Sequence, residues 1–105
     1  MPMTTLAGTD VDVDAEGFLT DASQWNEDVA AEIARAEGIE ELTDRHWLVV
    51  QVMRREFAEK GTGPAVRALG KISGVGIAEL YRLFPKGPAK VAAKIAGIPK
   101  PRGCI

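Results

Sequence analysis

The sequence predicts an α+β, mostly helical fold: a small N-terminal β-hairpin or meander packed on about five helices, with a C-terminal arm beyond them. Three observations carry this. From Val29 onward apolar residues recur at spacings of three and four, the period of a helix with one buried face. Between Asp10 and Asp14 they alternate with aspartates, the period of a half-exposed strand. The last nine residues hold two prolines, two glycines and the only cysteine, a composition that continues neither element. Residues 1–96 therefore form one domain, and 97–105 a flexible arm.

Fraying is expected at Met1–Met3. Val11 and Val13 form a short strand, Ala15-Glu16-Gly17 turns the chain, and Phe18-Leu19 returns as the second strand, with Thr4–Leu6 available as a third. A lone hairpin is marginal, so it packs on helices. The first helix starts after Asn26, whose side chain suits an N-cap, with Glu27 and Asp28 at the positive end of the helix dipole. Gly38 stops it, and Trp25 staples its start to the core. Thr43 caps the longest helix, which runs to about Lys60 before Gly61 and carries Trp47, Val50, Met53 and Phe57 along one stripe. Pro64 opens a short helix through Gly70, and Lys71–Gly74 make a turn. A further helix spans about Val75–Phe84, with Ile77, Leu80, Tyr81 and Phe84 on one side. Pro85-Lys86-Gly87-Pro88 breaks the chain, and a last helix covers 88–96.

With 105 residues the chain has room for one modest core. No apolar run approaches a membrane span and no signal-peptide pattern opens the sequence, which points to a cytoplasmic protein without membrane partners. One cysteine permits no internal disulfide. With His46 as the sole histidine there is no ligand set for structural zinc, so no metal and no cofactor is expected. The net charge of −2 hides an asymmetry. Residues 1–59 hold fourteen acids and four bases, a balance of −10; residues 60–105 hold nine bases and one acid, Glu79, a balance of +8. The basic half can face an acidic protein or a nucleic acid, or the two halves can simply attract each other.

Cys104 is the candidate reactive group. Pro99 and Pro101 bias the arm toward polyproline II, and Gly97 and Gly103 free the backbone at its two ends. At ~3.1 Å per residue such an arm carries its thiol roughly 25 Å from the body. A thiolate is a nucleophile; Lys100 and Arg102 lower the thiol pKa and the terminal carboxylate of Ile105 opposes them. A thiol with no second cysteine cannot resolve an intramolecular disulfide. The chain is expected as a monomer, with a disulfide-linked dimer through Cys104 as the oxidation product. Lys86, Lys90 and Lys94 step by four along or beside the last helix. His46 is expected as a surface or partly packed residue, with no serine or acid placed for a triad. The two short helices around Gly74 form a helix-turn-helix pattern, and Gly70–Gly76 lacks the Gly-Lys-Ser/Thr ending of a phosphate loop.

From Leu83-Phe84-Pro85-Lys86-Gly87-Pro88-Ala89-Lys90 through Ala96-Gly97-Ile98-Pro99-Lys100-Pro101-Arg102-Gly103-Cys104-Ile105 the sequence resembles the C-terminal signature of the DsrC/TusE family. That family includes the gamma subunit of dissimilatory sulfite reductase and the sulfur-relay protein of transfer-RNA thiolation. Asp14–Leu19 with Gln24-Trp25, Leu42-Thr43 with His46-Trp47, and Gly63-Pro64-Ala65 with Arg67 agree, so the resemblance runs from about residue 10 to the end. It implies a helical array with a helix-turn-helix-like unit and a mobile arm, on which Cys104 matches the sulfur-carrying penultimate cysteine. Two departures stand out. Members that serve sulfite reduction carry another cysteine where this chain has Ala93, so no trisulfide bridging two cysteines of one arm can form. The turn between Ala68 and Leu80 is shorter than in many TusE-like members.

The function expected is that of a sulfur carrier of sulfurtransferase type, without turnover of its own. Cys104 accepts sulfur from a donor protein's persulfide cysteine and passes it to an acceptor such as a transfer-RNA thiolase or a sulfite reductase complex. Arg67, Lys86, Lys90, Lys94, Lys100 and Arg102 are the candidates for stabilising the persulfide or docking an acidic partner, with weak nucleic-acid contact allowed by their charge. Two alternatives remain open. One is a DNA-binding helix-turn-helix regulator using Arg67, Lys71 and Arg82, with Cys104 as sensor. The other is a non-catalytic gamma-type partner of a sulfite reductase.

Overall fold

The computed structural model describes residues 3–101; the fraying expected at Met1 and Pro2 lies outside them, as do Arg102, Gly103, Cys104 and Ile105. Strands β1 (Met3–Leu6) and β2 (Thr9–Asp12) pair antiparallel, Met3 opposite Asp12 and Leu6 opposite Thr9. Five helices follow: α1 (Glu27–Ala36), α2 (Asp44–Lys60), α3 (Val66–Ser73), α4 (Ile77–Leu83) and α5 (Pro88–Ile95), with a 3₁₀ turn at Ala22–Gln24. The helix α5 is the centre of the packing, in contact with α1, α2, α3 and α4. Pro88, Ala89, Val91, Ala92, Ala93 and Ile95 are all buried, so five of its eight residues plus its first proline face neighbours on several sides.

The hairpin differs from the expected pairing. Its second strand pairs with residues 3–6, and Phe18-Leu19 contributes a single bridge, Val13 opposite Leu19. Two local features decide this. Ala7 and Gly8 both take positive φ, 51° and 79°, which gives a two-residue turn whose twist matches the strands. Meanwhile the Asp14 carboxylate accepts from the Glu16 and Phe18 amides at 2.9 and 3.0 Å and curls residues 14–18 into a tight loop. Phe18 and Leu19 are nonetheless fully buried, so they serve the core and not a ladder.

The helix stops are as the sequence suggests at α1 and α2. Asn26 accepts from the Val29 amide, and Gly38 and Ile39 close α1 with amide bonds back to Arg35 and Ala34 at 3.1 and 2.8 Å. Thr43 caps α2 and Gly61 ends it with φ 76°. The helix α3 needs a correction: it starts after Ala65 and runs through Lys71-Ile72-Ser73 to Gly74, which ends it with φ 74°. The glycine, not the residues before it, is the stop, because only it adopts the left-handed cap without strain. The expected turn thus shrinks to Gly74-Val75-Gly76, and α4 begins two residues late. α3 and α4 are two short helices in contact across that turn.

His46 also needs a correction. It is only 7% exposed. The Thr43 amide donates to its Nδ1 at 3.0 Å, so Nε2 carries the hydrogen and donates to the Leu83 carbonyl at 2.9 Å. The ring stands edge-on to buried Phe84, 5.2 Å between centroids. Both ring nitrogens of His46 are thus engaged in tying the start of α2 to the end of α4.

Candidate functional site

The described part of the arm begins inside the core. Gly97, with φ 70°, and Ile98 close α5 as its last turn: their amides donate to the Lys94 and Ala93 carbonyls at 3.1 and 3.2 Å. The next two carbonyls of the helix end are taken by side chains from elsewhere. Trp25 Nε1 donates to the Ile95 carbonyl at 2.7 Å, and Arg54 Nη1 donates to the Ala96 carbonyl at 2.8 Å. The carbonyls that a helix leaves without partners at its C-terminus are thereby satisfied. The Arg54 guanidinium lies 4.1 Å above the Trp25 ring, a cation–π contact that joins the two donors. Burial pulls the Arg54 pKa down from its ordinary value, without approaching a range in which the group would lose its proton.

Two glycines make room for this arrangement. A Cβ on Gly97 would fall 2.7 Å from Trp25 Cγ, and one on Gly63 would fall 2.8 Å from Ile98 Cδ1 and 3.1 Å from Met53 Sδ. Pro101 Cγ is 3.5 Å from the same point over Gly63, and Pro101 is buried while Pro99 is exposed. Pro101, the last described residue, therefore packs beside the loop that precedes α3. Cys104 is three residues further on, outside the described residues. Its Cα lies within roughly 11 Å of the Pro101 Cα by chain length alone.

The basic candidates divide by partner. Lys90 and Lys100 share Glu16, at 3.7 and 3.6 Å, and Lys94 pairs with Glu37 at 3.6 Å while lying 5.8 Å from the Phe18 ring centre. These carboxylates belong to the acidic half of the sequence. Lys86 is exposed near Gly38, and Arg67 is exposed in the first turn of α3; neither forms an ion pair among the described residues. Arg102 and Gly103 are outside the described residues. The arrangement brings Lys90 and Lys100 together at one carboxylate, which Arg67 does not share. No three His, Cys, Asp or Glu side chains converge among the described residues.

Sequence reasoning missed Arg54 and Gly63 and gave Trp25 and Gly97 only local roles. The Trp25–Arg54–α5 contacts join residues separated by 42 and 70 positions, which no periodicity can reveal. The faint signal was Arg54 itself, a long cation set between the Val50–Met53 stripe and Phe57.

The comparisons with known proteins agree with this geometry. Residues 5–105 match the family model described as DsrC-like protein. The sulfurtransferase TusE of Escherichia coli strain K12 is 46% identical over 98% of this chain and all of its own. The crystal structure of the oxidised gamma subunit of dissimilatory sulfite reductase, DsrC, from Archaeoglobus fulgidus superposes with a TM-score of 0.83 at 38% identity, covering 99% of this chain and all of that one. The solution structure of Allochromatium vinosum DsrC gives 0.82 at 38% identity, over 98% and 97% of the two chains. With both its fold and nearly its whole length accounted for, the chain belongs to the DsrC-like protein family.

Proposed function

We propose that this chain is a sulfur-relay carrier in which Cys104 accepts persulfide sulfur and hands it to a partner protein. The observation that carries the reading is the match, through residue 105, to a family with a sulfurtransferase among its members. The body supports it by holding the arm's base firmly, so that the chain length beyond Pro101 sets the reach of the thiol.

The chemistry is a thiol exchange. The Cys104 thiolate attacks the outer sulfur of a donor persulfide, R–S–SH. A new S–S bond forms to Cys104, the donor's S–S bond breaks, and the donor leaves as R–S⁻ with no net oxidation. Delivery repeats the step on an acceptor. The donor is a protein with a persulfide cysteine, and the acceptor a transfer-RNA thiolase or a sulfite reductase assembly. Ala93 lies buried in α5 where a second family cysteine would stand. A chain with one cysteine cannot make an intramolecular trisulfide, which favours simple relay over the gamma-subunit role. Lys100 and Arg102 flank the persulfide in sequence and favour its anion, Lys100 in competition with Glu16.

The DNA-binding alternative is not favoured. The exposed face of α4 presents Ile77, Ala78 and Tyr81 with Arg82, few of the polar donors that read base edges. Among the described residues no helix is long and apolar enough to cross a membrane. Intact-mass measurement after incubation with a persulfide donor tests the carrier reading. Wild type should gain reducible sulfur and Cys104→Ser should gain none; loading of the serine variant would sink the proposal.

A further inference from the structure

We propose that the groove between α3 and α4 is the seat of an acidic, apolar-faced segment of the protein that exchanges sulfur with Cys104; this rests on the carrier reading. The groove is lined by Arg67, Ala68 and Lys71 of α3 and by Ile77 of α4. The two helices pack closely at Gly70: a Cβ there would make ordinary contacts with Ile77 Cγ1 at 3.5 Å and the Val75 carbonyl at 3.4 Å. Ile72, Ile77 and Tyr81 are 37%, 45% and 52% exposed, three of the five large apolar side chains exposed among the described residues. Ile77 and Tyr81 are one helical turn apart, as are Ala68 and Ile72, so the four lie as two short apolar rows. Arg67 and Lys71, also one turn apart, border them, and neither pairs with a carboxylate among the described residues.

Charge selects the occupant. The one acid of the basic half, Glu79, is held by Arg45 through two hydrogen bonds at 2.7 and 2.8 Å, so nothing on α3 or α4 offsets the groove's cations. Apolar rows beside two cations that pair with no carboxylate among the described residues complement an amphipathic segment with carboxylates along one edge. A nucleic acid would leave Ile72, Ile77 and Tyr81 without matching surface along a backbone of phosphates, which are bound by many cations and few aliphatic side chains.

Position ties the groove to the thiol. Pro101 packs over Gly63, and Arg67 is four residues past Gly63, within roughly 14 Å by chain length. Cys104 is within roughly 11 Å of Pro101 on the same count. A segment seated in the groove therefore brings its own protein's persulfide within reach of Cys104 without the arm's base moving.

The test uses the full reduced chain and two amphipathic peptides of about five helical turns. They share apolar residues; one carries Glu and the other Lys on its polar edge, and each ends in a cysteine persulfide. Intact mass reads sulfur transfer to Cys104. At low salt the acidic peptide should load the chain about tenfold faster than the basic one, although the protein's own net charge of −2 favours the basic peptide. Raised salt and the double variant Arg67→Glu, Lys71→Glu should abolish that advantage, while glutathione persulfide loads wild type and variant equally. Equal rates for the two peptides, or an advantage that survives in the variant, overturns the proposal. So does a variant-sensitive shift of a short DNA duplex, or variant-sensitive self-association in sedimentation, without a peptide effect; these assign the groove to nucleic acid or to a second copy. Failure of glutathione persulfide to load wild type strikes the carrier reading instead, and this inference with it.

Discussion

Gly97 shows how one residue couples the helix end to the arm. It meets two requirements at once: a left-handed backbone, φ 70°, and no side chain where the Trp25 indole lies. Gly74 meets only the first, with φ 74° and open space around its Cα. The two positions separate strain from packing. Gly74→Ala should cost about 1–2 kcal/mol from backbone strain, and Gly97→Ala about 1–3 kcal/mol more, because the added methyl must displace Trp25 and with it the donor to the Ile95 carbonyl. Urea denaturation of both variants checks this, and equal losses would mean that Trp25 yields freely. The sequence identified Gly97 as a helix stop from its place after a periodic apolar run. It held no sign of the second requirement, since Trp25 is 72 positions away and nothing local links them.

At the scale of elements, caps and stops were legible because they depend on neighbours within four residues: Asn26, Thr43, Gly38 and Gly61 all act where their chemistry suggests. Asn26→Ala should accordingly cost about 1 kcal/mol, visible as a lower urea midpoint with unchanged slope. What escaped was backbone geometry that the apolar pattern does not carry and contact with distant partners. The strand pairing turned on the positive φ of Ala7 and Gly8 and on the Asp14 loop, and His46 turned on the approach of Leu83 and Phe84. The Arg45–Glu79 pair is another such link, joining the start of α2 to α4. The Arg45 hydrogen bonds, with its charge, hold the Glu79 carboxyl below its usual value, and nearby Arg82 acts the same way. A folded-state pKa below the unfolded one gives stability that is complete above the ordinary carboxylate range and is lost as pH falls through the folded value. The difference in melting temperature between wild type and Arg45→Ala should therefore be largest near neutrality and vanish in strong acid. A difference that persists there would show that Arg45 acts through packing.

Over the whole molecule, the division of charge along the sequence becomes a contact between its halves. Glu16 with Lys90 and Lys100, Glu37 with Lys94, and Arg45 with Glu79 each join a residue before position 60 to one after it. Each pair is partly exposed to solvent and therefore weak on its own. The balances of −10 and +8 add a longer-range attraction, because the two halves share one domain of 34 × 29 × 21 Å. The Debye length falls from about 30 Å at about 0.01 M salt to about 3 Å at about 1 M, from comparable with the molecule's own extents to less than one side chain. Sodium chloride raised over that range should lower the melting temperature steadily. Glu16→Gln removes the carboxylate shared by Lys90 and Lys100, so it should melt below wild type in low salt and converge with it in high salt. Its effect on the arm follows from the same contact: Lys100 freed of Glu16 is available to the persulfide anion, so the variant's loading by glutathione persulfide should be faster, most clearly in low salt. A melting temperature indifferent to salt would mean that the halves are held by the apolar core alone and that the asymmetry faces outward. Lower stability without faster loading would confine Glu16 to holding the arm's base in place.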